Sequence, residues 1–457
     1  MYQAPLRTAL HQLFLQDGHS LALQRITVEA TNDLVQGIQQ QILSSSTEKP
    51  SLPVANIEHL LKMVTMDVFG KIAFSHDFES CKRLELSKFA RAFDAMEQDI
   101  LGRIHCPWWW PWWPPYWFYQ IPTPRNRLFL QNQNYVRHFL QDMVQTRREK
   151  KPQGNDNNNT TGNTHATTTP MDILDRLLEA HKARAVEDTD ETLVDVLLSI
   201  LMAGHETVST CLTYALLLIH QPENRHWLGL CREETDHLPS ALLAGEKQSS
   251  TGTTIEPMRL PLCRSIILEA LRLYPVATGS SRTLSQPLIL ENPTTSTTCN
   301  RNDKENVATA GSARKNGTTA TTTSSSGSDT RRVVIPTGDH VGVSFWLIHR
   351  SDQYFDRPLE FRPDRWVQQR QCSSSTTATT RQWEDRDDAP HDAFFAFSDG
   401  GRRCPGKSFA LEEATLIFAI LLRNLKFDIP SNYKLEIEWR GVVQKPRGGV
   451  PATISLT

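Results

Sequence analysis

The sequence predicts a mainly helical domain with a minor sheet region, and three observations carry that prediction. Apolar residues recur every three to four positions over long stretches, the period of a helix with one buried face. Runs that read as strands are short and fall late in the chain. Four polar stretches rich in Thr, Ser, Asn and Gly interrupt the pattern, at 150–169, 245–254, 293–329 and 372–388. The motifs continue on either side of them, so they read as insertions into one domain spanning 1–457 rather than as linkers.

In chain order, Leu21–Leu43 and Ile57–Phe74 have helical periodicity. The segment HCPWWWPWWPPYWFYQIPTP, residues 105–124, has the length of a membrane span, but Pro107, Pro111, Pro114 and Pro115 forbid a continuous helix. Its clustered Trp and Tyr fit a wedge at headgroup depth; a core or partner-docking loop is the other reading. A helix follows over Arg125–Arg148. The longest helix begins near Asp188, where Glu191 three residues later resembles a capping box, and stops before Pro222. At ~1.5 Å per residue, about 32 residues span ~48 Å, enough to cross a large domain. Asp195, His205 and Glu206 interrupt its apolar run and argue against a membrane span. A helix at Leu262–Leu273 precedes strands at Leu288–Leu290, Arg332–Ile335 and His340–Phe345. A helix at Phe409–Leu422 and a strand at Ala452–Leu456 close the chain.

Composition narrows the function classes. Lys plus Arg is 49 and Asp plus Glu is 51, a net charge of -2, so no global field draws the chain to nucleic acid or to an anionic membrane. The 39% hydrophobic content falls below the roughly 45–50% of globular domains, and the insertions account for the deficit. They cannot bury enough apolar surface to offset the entropy of ordering, which predicts mobile surface loops. The eight cysteines have no CxxC pair or short spacing, which argues against a zinc site or a disulfide scaffold and for a reducing compartment. The amino terminus has no long apolar run, so neither a signal peptide nor an anchor is expected in this chain.

Only Cys404 sits in a loop of glycines, arginines and a proline, FSDGGRRCPG, with apolar runs on both sides. A thiolate serves as a permanent metal ligand when its charge is neutralised and its loop is held tightly. Gly400 and Gly406 permit backbone conformations and close approach that a Cβ denies. Phe397 can cover the sulfur, and Arg402 can pair with a carboxylate of a bound cofactor. A buried free cysteine beside a Gly-rich turn is the plainer reading of such a loop. A second motif, Ala203-Gly204-His205-Glu206-Thr207, falls at the middle of the longest helix. Its Thr hydroxyl can back-bond to the carbonyl near Ala203 and make a polar notch, or the motif is only a helix packed tightly at glycine. A third, Glu269-Ala270-Leu271-Arg272, places an acid and a base at i,i+3, a pairing common on helix surfaces.

Together these stretches resemble the cytochrome P450 family. FxxGxRxCxG followed by an apolar helix is similar to its haem-thiolate loop, AGxxT to its distal helix, ExxR to its buried ion pair, and Phe361-Arg362-Pro363-Asp364-Arg365-Trp366 to the segment that completes that pair. The resemblance implies a haem b cofactor with Cys404 as the iron ligand, its electron donation favouring O–O cleavage. It implies cofactor contacts from Arg402, Phe397, Gly406, Ala203 and Gly204, and from Arg282 of Ser281-Arg282-Thr283 to a haem propionate. Thr207 and Glu206 take the catalytic role of delivering protons to oxygen, and Glu269, Arg272 and Arg365 form a structural network. The implied activity is insertion of one atom of O2 into a lipophilic substrate, with electrons from an NADPH-dependent reductase or a ferredoxin. Alternatives are a haem-thiolate isomerase or lyase, which often loses the distal Thr, and a non-catalytic haem-binding fragment. The implied location is a membrane surface reached through 105–124, at the cytoplasmic face of the endoplasmic reticulum or in the plastid. The resemblance is strong from Leu193 onward and thinner before it, where Met63–Phe74 looks like a family helix. Gln3 and Arg7 stand where the family has a Trp-x-x-x-Arg motif, so the sequence reads as a family member lacking its N-terminal part.

Overall fold

The computed structural model describes residues 17–44, 51–104, 120–149, 172–182, 190–236, 260–291, 332–369, 383–440 and 443–457. Gln3, Arg7, Asp188 and residues 105–119 of the Trp-rich loop lie outside them, as do the stretches 150–169, 245–254 and 293–329. Of 372–388 the part from Trp383 onward is described, and there the structure differs from the expectation of an unstructured insertion. Trp383–Asp385 form a strand paired with Val367–Gln369.

The fold is mostly helical, as the periodicity predicts. In chain order the described helices are α1 (Asp17–Ser44), α2 (Ile57–Phe74), α3 (Ser80–Arg83), α4 (Lys88–Ile104), α5 (Pro124–Glu149), α6 (Ile173–Lys182), α7 (Asp190–Ile219), α8 (Arg225–Asp236), α9 (Pro261–Leu273), α10 (Phe345–Ile348) and α11 (Lys407–Asn424). The longest, α7, packs against α2, α5, α9 and α11, so it runs through the core with neighbours on several sides. By length and composition it is the one described helix that could cross a membrane, but more than half of that stretch is buried among these neighbours. An amphipathic helix buries one stripe; α7 is apolar almost all round because it is surrounded.

Local signals fix where α2 begins and ends. The Asn56 side chain accepts from the Glu58 N–H at 3.0 Å, capping the first turn. Ser75, in the left-handed region at φ 52°, ends the helix by donating to Lys71 O at 3.0 Å, while His76 donates to Gly70 O. Gly70 has no room for a side chain: a Cβ would stand 2.6 Å from the Phe78 ring.

The sheets are small and antiparallel. Strand β1 (Leu52–Asn56) and β8 (Leu425–Asp428) flank β11 (Pro451–Leu456), with Ala55 opposite Ala452 and Phe427 opposite Ile454. Four pairs complete the set: β2 (Gly279–Thr283) with β5 (His340–Ser344), β3 (Leu288–Glu291) with β4 (Arg332–Ile335), β6 (Val367–Gln369) with β7 (Trp383–Asp385), and β9 (Ile437–Arg440) with β10 (Val443–Pro446). The predicted strand at His340–Phe345 stops one residue early. Ser344 accepts from the Leu347 N–H at 3.3 Å and caps the turn of α10 that Phe345 begins.

Candidate active site

The cysteine loop is closed by its own backbone. The Cys404 N–H donates to Phe397 O at 2.8 Å, and the Arg403 N–H to Gly400 O at 3.1 Å. Gly400 stands at φ 68°, where only glycine is unstrained, and Ser398 at φ 58° accepts that strain. The loop runs directly into α11, whose N-cap is Gly406, so Cys404 sits just before a helix N-terminus, where the helix dipole favours a thiolate. Cys404 is half-buried, and a Cβ built on Gly400, Gly401 or Gly406 would meet nothing within 4 Å. The loop therefore faces open space with room for a flat group laid against backbone. Phe397 is half-buried, with its ring edge-on to Phe394 and the Lys407 ammonium 5.9 Å from its centroid; Arg402 is exposed in the same turn.

The middle of α7 has an opening on one side. Ala203 is exposed and Thr207 half-buried, whereas His205, Glu206 and Val208 are buried. The Thr207 hydroxyl donates to Ala203 O at 2.8 Å, the predicted back-bond. That leaves the oxygen's lone pairs available on the helix beside the exposed Ala203. Gly204 is half-buried on the same helix. A Cβ there would stand 2.4 Å from the Phe69 ring, so this glycine lets α7 pack on α2.

Glu206 does not stand alone beside Thr207. It is buried and accepts from Lys445 Nζ at 3.0 Å; the same ammonium donates to Glu58 at 3.0 Å. Burial alone would raise the Glu206 carboxyl, but Lys445 and Lys62 outweigh it and hold the carboxyl below its ordinary value. Lys62 in turn pairs with Asp94 and lies 3.7 Å from Glu58. None of these partners has a sequence signal, since a lone Lys in a short strand reads as solvent-facing.

The acid–base pair on α9 is hydrogen-bonded through every polar side-chain atom. Glu269 and Arg272 are fully buried and bidentate, at 3.0 and 2.8 Å. Arg272 also donates to the carbonyls of His349, Pro358 and Glu360 at 2.6–2.9 Å. Glu269 accepts from Arg365 at 3.3 Å, the Arg362 N–H at 2.9 Å and Trp366 Nε1 at 2.9 Å. The three predicted members are thus together, and the structure adds Trp366 and His349. The His349 ring links the network to the cysteine loop: Nδ1 donates to Arg272 O at 3.1 Å and Nε2 accepts from the Phe395 N–H at 2.8 Å. Burial pushes this histidine down to about 3, so it is neutral in that tautomer.

Arg282 lies exposed on β2, donating to Ser280 Oγ and Ser281 O, and has no carboxylate partner among the described residues. A cation in that state suits a carboxylate of a bound group. A cleft of about 1060 Å³ lies elsewhere, against Leu217, Trp227, Tyr274, Arg350 and Tyr433. Neither the cysteine loop nor Thr207 lines it, so its size does not make it the site.

The family model described as Cytochrome P450 matches residues 4–295 and 322–451, and the break falls inside the polar stretch 293–329. Cytochrome P450 97B2, chloroplastic, of Glycine max is 24% identical over 440 residues, covering 92% of this chain and 64% of its own length. Cytochrome P450 monooxygenase claO of Ampulloclitocybe clavipes is 25% identical over 397 residues, 83% of this chain and 61% of its own. A bifunctional cytochrome P450/NADPH–P450 reductase of Bacillus cereus is 27% identical over 270 residues, 58% of this chain and 19% of its own. The chain spans about three fifths of the length of curated relatives such as the first two. Among solved structures, the cytochrome P450DA heme domain superposes with a TM-score of 0.61 at 18% identity, over 98% of this chain and 76% of that one, a likeness of fold. With the family model matched along most of the chain, and the thiol loop, the notched helix and the buried Glu–Arg pair all in place, this protein belongs to the cytochrome P450 family.

Proposed function

We propose that the protein is a haem-dependent monooxygenase that inserts one atom of O2 into a lipophilic organic substrate, with electrons from a separate NADPH-dependent reductase or ferredoxin. The observation that carries the reading is the half-buried Cys404, in a loop tied to Phe397 O at 2.8 Å, with open space over its glycines. Family membership implies haem, and these residues fit it. Cys404 would hold its iron, Arg282 and Arg402 its propionates, and Phe397 would keep water from the sulfur. Ala203, exposed at the α7 surface, would leave room for the group there. Bound haem b, with a thiolate ligand, supplies the oxidative chemistry. Thr207 keeps an oriented hydroxyl at the helix surface through its bond to Ala203 O, and Glu206 is the acid beside it. That hydroxyl favours an oxygenase over an isomerase or lyase, which has no protons to steer. The relatives that carry a reductase in the same chain support the electron source.

Membrane attachment through 105–124 rests on the sequence of that segment. The plastid names of two relatives support a plastid location alongside the endoplasmic reticulum. Flotation with neutral liposomes tests the attachment: it should survive high salt and be lost when Trp108, Trp109, Trp110, Trp112 and Trp113 become Ser. For the function, reduced haem-loaded protein is treated with carbon monoxide. The red-shifted Soret band of a thiolate-ligated haem should appear in wild type and in Cys263→Ala, and vanish in Cys404→Ala. A band that survives Cys404→Ala removes the assignment. Product formation dependent on NADPH and a reductase then separates an oxygenase from a haem binder.

A further inference from the structure

Seven titratable side chains from four elements meet behind Thr207, and the proposed function uses only one of them. Glu58 and Lys62 come from α2, Asp94 and Glu97 from α4, His205 and Glu206 from α7, and Lys445 from β10. Glu97, His205 and Glu206 are at most 2% exposed. Lys445 bridges Glu58 and Glu206 at 3.0 Å each, and Lys62 is held by Asp94. The two ammonium groups are thus committed to Glu58, Asp94 and Glu206. Among the described residues Glu97 has no Lys or Arg in an ion pair with it, Lys62 acting on it only at a distance, and its hydrogen-bonded neighbour is the Glu206 carboxyl. Among the described residues its Oε2 has no hydrogen-bond partner, and neither has His205 Nδ1, which lies 4.0 Å away.

Charge counting decides what this arrangement can hold. Four carboxylates against two ammonium groups would leave two uncompensated negative charges in a buried space, at a cost of several kcal/mol each. Two carboxyls in hydrogen-bond contact remove one of these charges by sharing one proton, because the pair then needs one donor and one acceptor, and the other lies toward Asp94, whose side chain is 20% exposed. Lys445 contacts Glu206, so the negative charge belongs there and the proton belongs on Glu97.

We propose that Glu97 and Glu206 form a buried acid pair holding one proton, that Lys445 fixes this proton on Glu97, and that the pair is the proton reserve behind the Thr207 hydroxyl. In this scheme Glu97 and Lys445 are positioning residues. The Glu97 proton passes to the Glu206 carboxylate, which hands it on toward the Thr207 hydroxyl, and a proton taken up at Glu97 then restores the charge of the pair. Burial and the Glu206 charge both push the Glu97 carboxyl well above its ordinary value, in keeping with that assignment. His205 cannot supply the proton, since burial and Lys62 push it down to about 4. The role in delivery rests on the monooxygenase reading; the location of the proton does not.

Infrared spectroscopy of the resting, haem-loaded protein at neutral pH tests the location. A carbonyl band of a buried, protonated carboxyl should disappear in Glu97→Gln, persist in Glu206→Gln, and gain intensity in Lys445→Met, where the pair takes up a second proton. Absence of the wild-type change in Glu97→Gln, or its appearance in Glu206→Gln alone, overturns the assignment. Should Glu97→Gln not fold, the Lys445→Met gain decides alone. The reserve role is read as peroxide released per NADPH, which should rise several-fold in Glu97→Gln, as loss of a positioned proton donor predicts, while the Soret band is unchanged. Unaltered coupling in Glu97→Gln overturns the reserve and leaves the shared proton as a structural feature. A wild type that binds haem yet forms no product removes the reserve together with the monooxygenase reading, while the infrared result stands.

Discussion

Arg272 shows how much a single residue organises. Its guanidinium satisfies both oxygens of Glu269 and three main-chain carbonyls from the segment that leads to the cysteine loop, with the Phe355 ring 5.1 Å away. Lysine at this position keeps the charge but loses the planar fork, leaving buried acceptors without donors. Arg272→Lys is expected to destabilise by about 3–5 kcal/mol, the scale for breaking a buried pair, read as a shift in the urea midpoint. Trp366→Phe removes one donor to Glu269 and should cost about 1–3 kcal/mol. A Trp366→Phe protein as stable as wild type would mean that Glu269 is already satisfied without it. Thr207 calls for a different measurement, because among the described residues its hydroxyl bonds only to its own helix. Thr207→Ala should leave haem binding intact and raise peroxide per NADPH several-fold, and Thr207→Ser should restore coupling. If Ser and Ala behave alike, the hydroxyl is packing and the methyl group is what matters.

Between elements, the tightest test is the crossing of α2 and α7. Gly204 permits it, since a Cβ would stand 2.4 Å from the Phe69 ring. Gly204→Ala gains roughly 1 kcal/mol of helix propensity and loses about 1–3 kcal/mol to overpacking in a filled core. The net expectation is a lower thermal midpoint, recovered when Phe69→Leu is combined with it. A Gly204→Ala protein more stable than wild type would show that the ring swings aside freely. This crossing also shows what the sequence could and could not reveal. The long periodic helices were legible to within a few residues, Ile57–Phe74 and Asp190–Ile219 among them, because their burial pattern is written at a fixed period. The Lys88–Ile104 helix and the short strands at Leu425–Asp428 and Val443–Pro446 were not read, since a mostly polar helix face or four residues of strand carry little pattern. Cys404, Thr207, Glu269, Arg272 and Arg365 were legible because their spacing is local. The role of Gly204 against Phe69, and of Lys445 against Glu206, depends on residues far away in the chain, and no window along it contains both.

At the scale of the molecule, buried histidines set the response to acid. His349 joins the Glu269–Arg272 network to the cysteine loop as a neutral ring, pushed down to about 3 by burial, and burial lowers His205 and His220 to about 4. For His349 the folded value lies below the unfolded one, so between pH 6.5 and about 3 the unfolded chain binds more protons. Its contribution is complete above the unfolded value and is lost as pH falls through that window. Glu97 and Glu413 act in the opposite sense, because burial raises both carboxyls, and their contribution is lost as pH rises. Total stability therefore mixes the two trends, and a comparison between variants isolates one. The difference in unfolding free energy between wild type and His349→Asn should be constant above pH 6.5. It should then shrink by roughly 2 kcal/mol on going to pH 5, at about 1.4 kcal/mol per pH unit. Denaturant titrations at a series of pH values supply the measurement. A difference that does not change with pH would show that the folded ring takes up a proton as readily as the unfolded chain, and the bond it accepts from the Phe395 N–H, which ties the buried network to the thiol loop, would then not survive acidification.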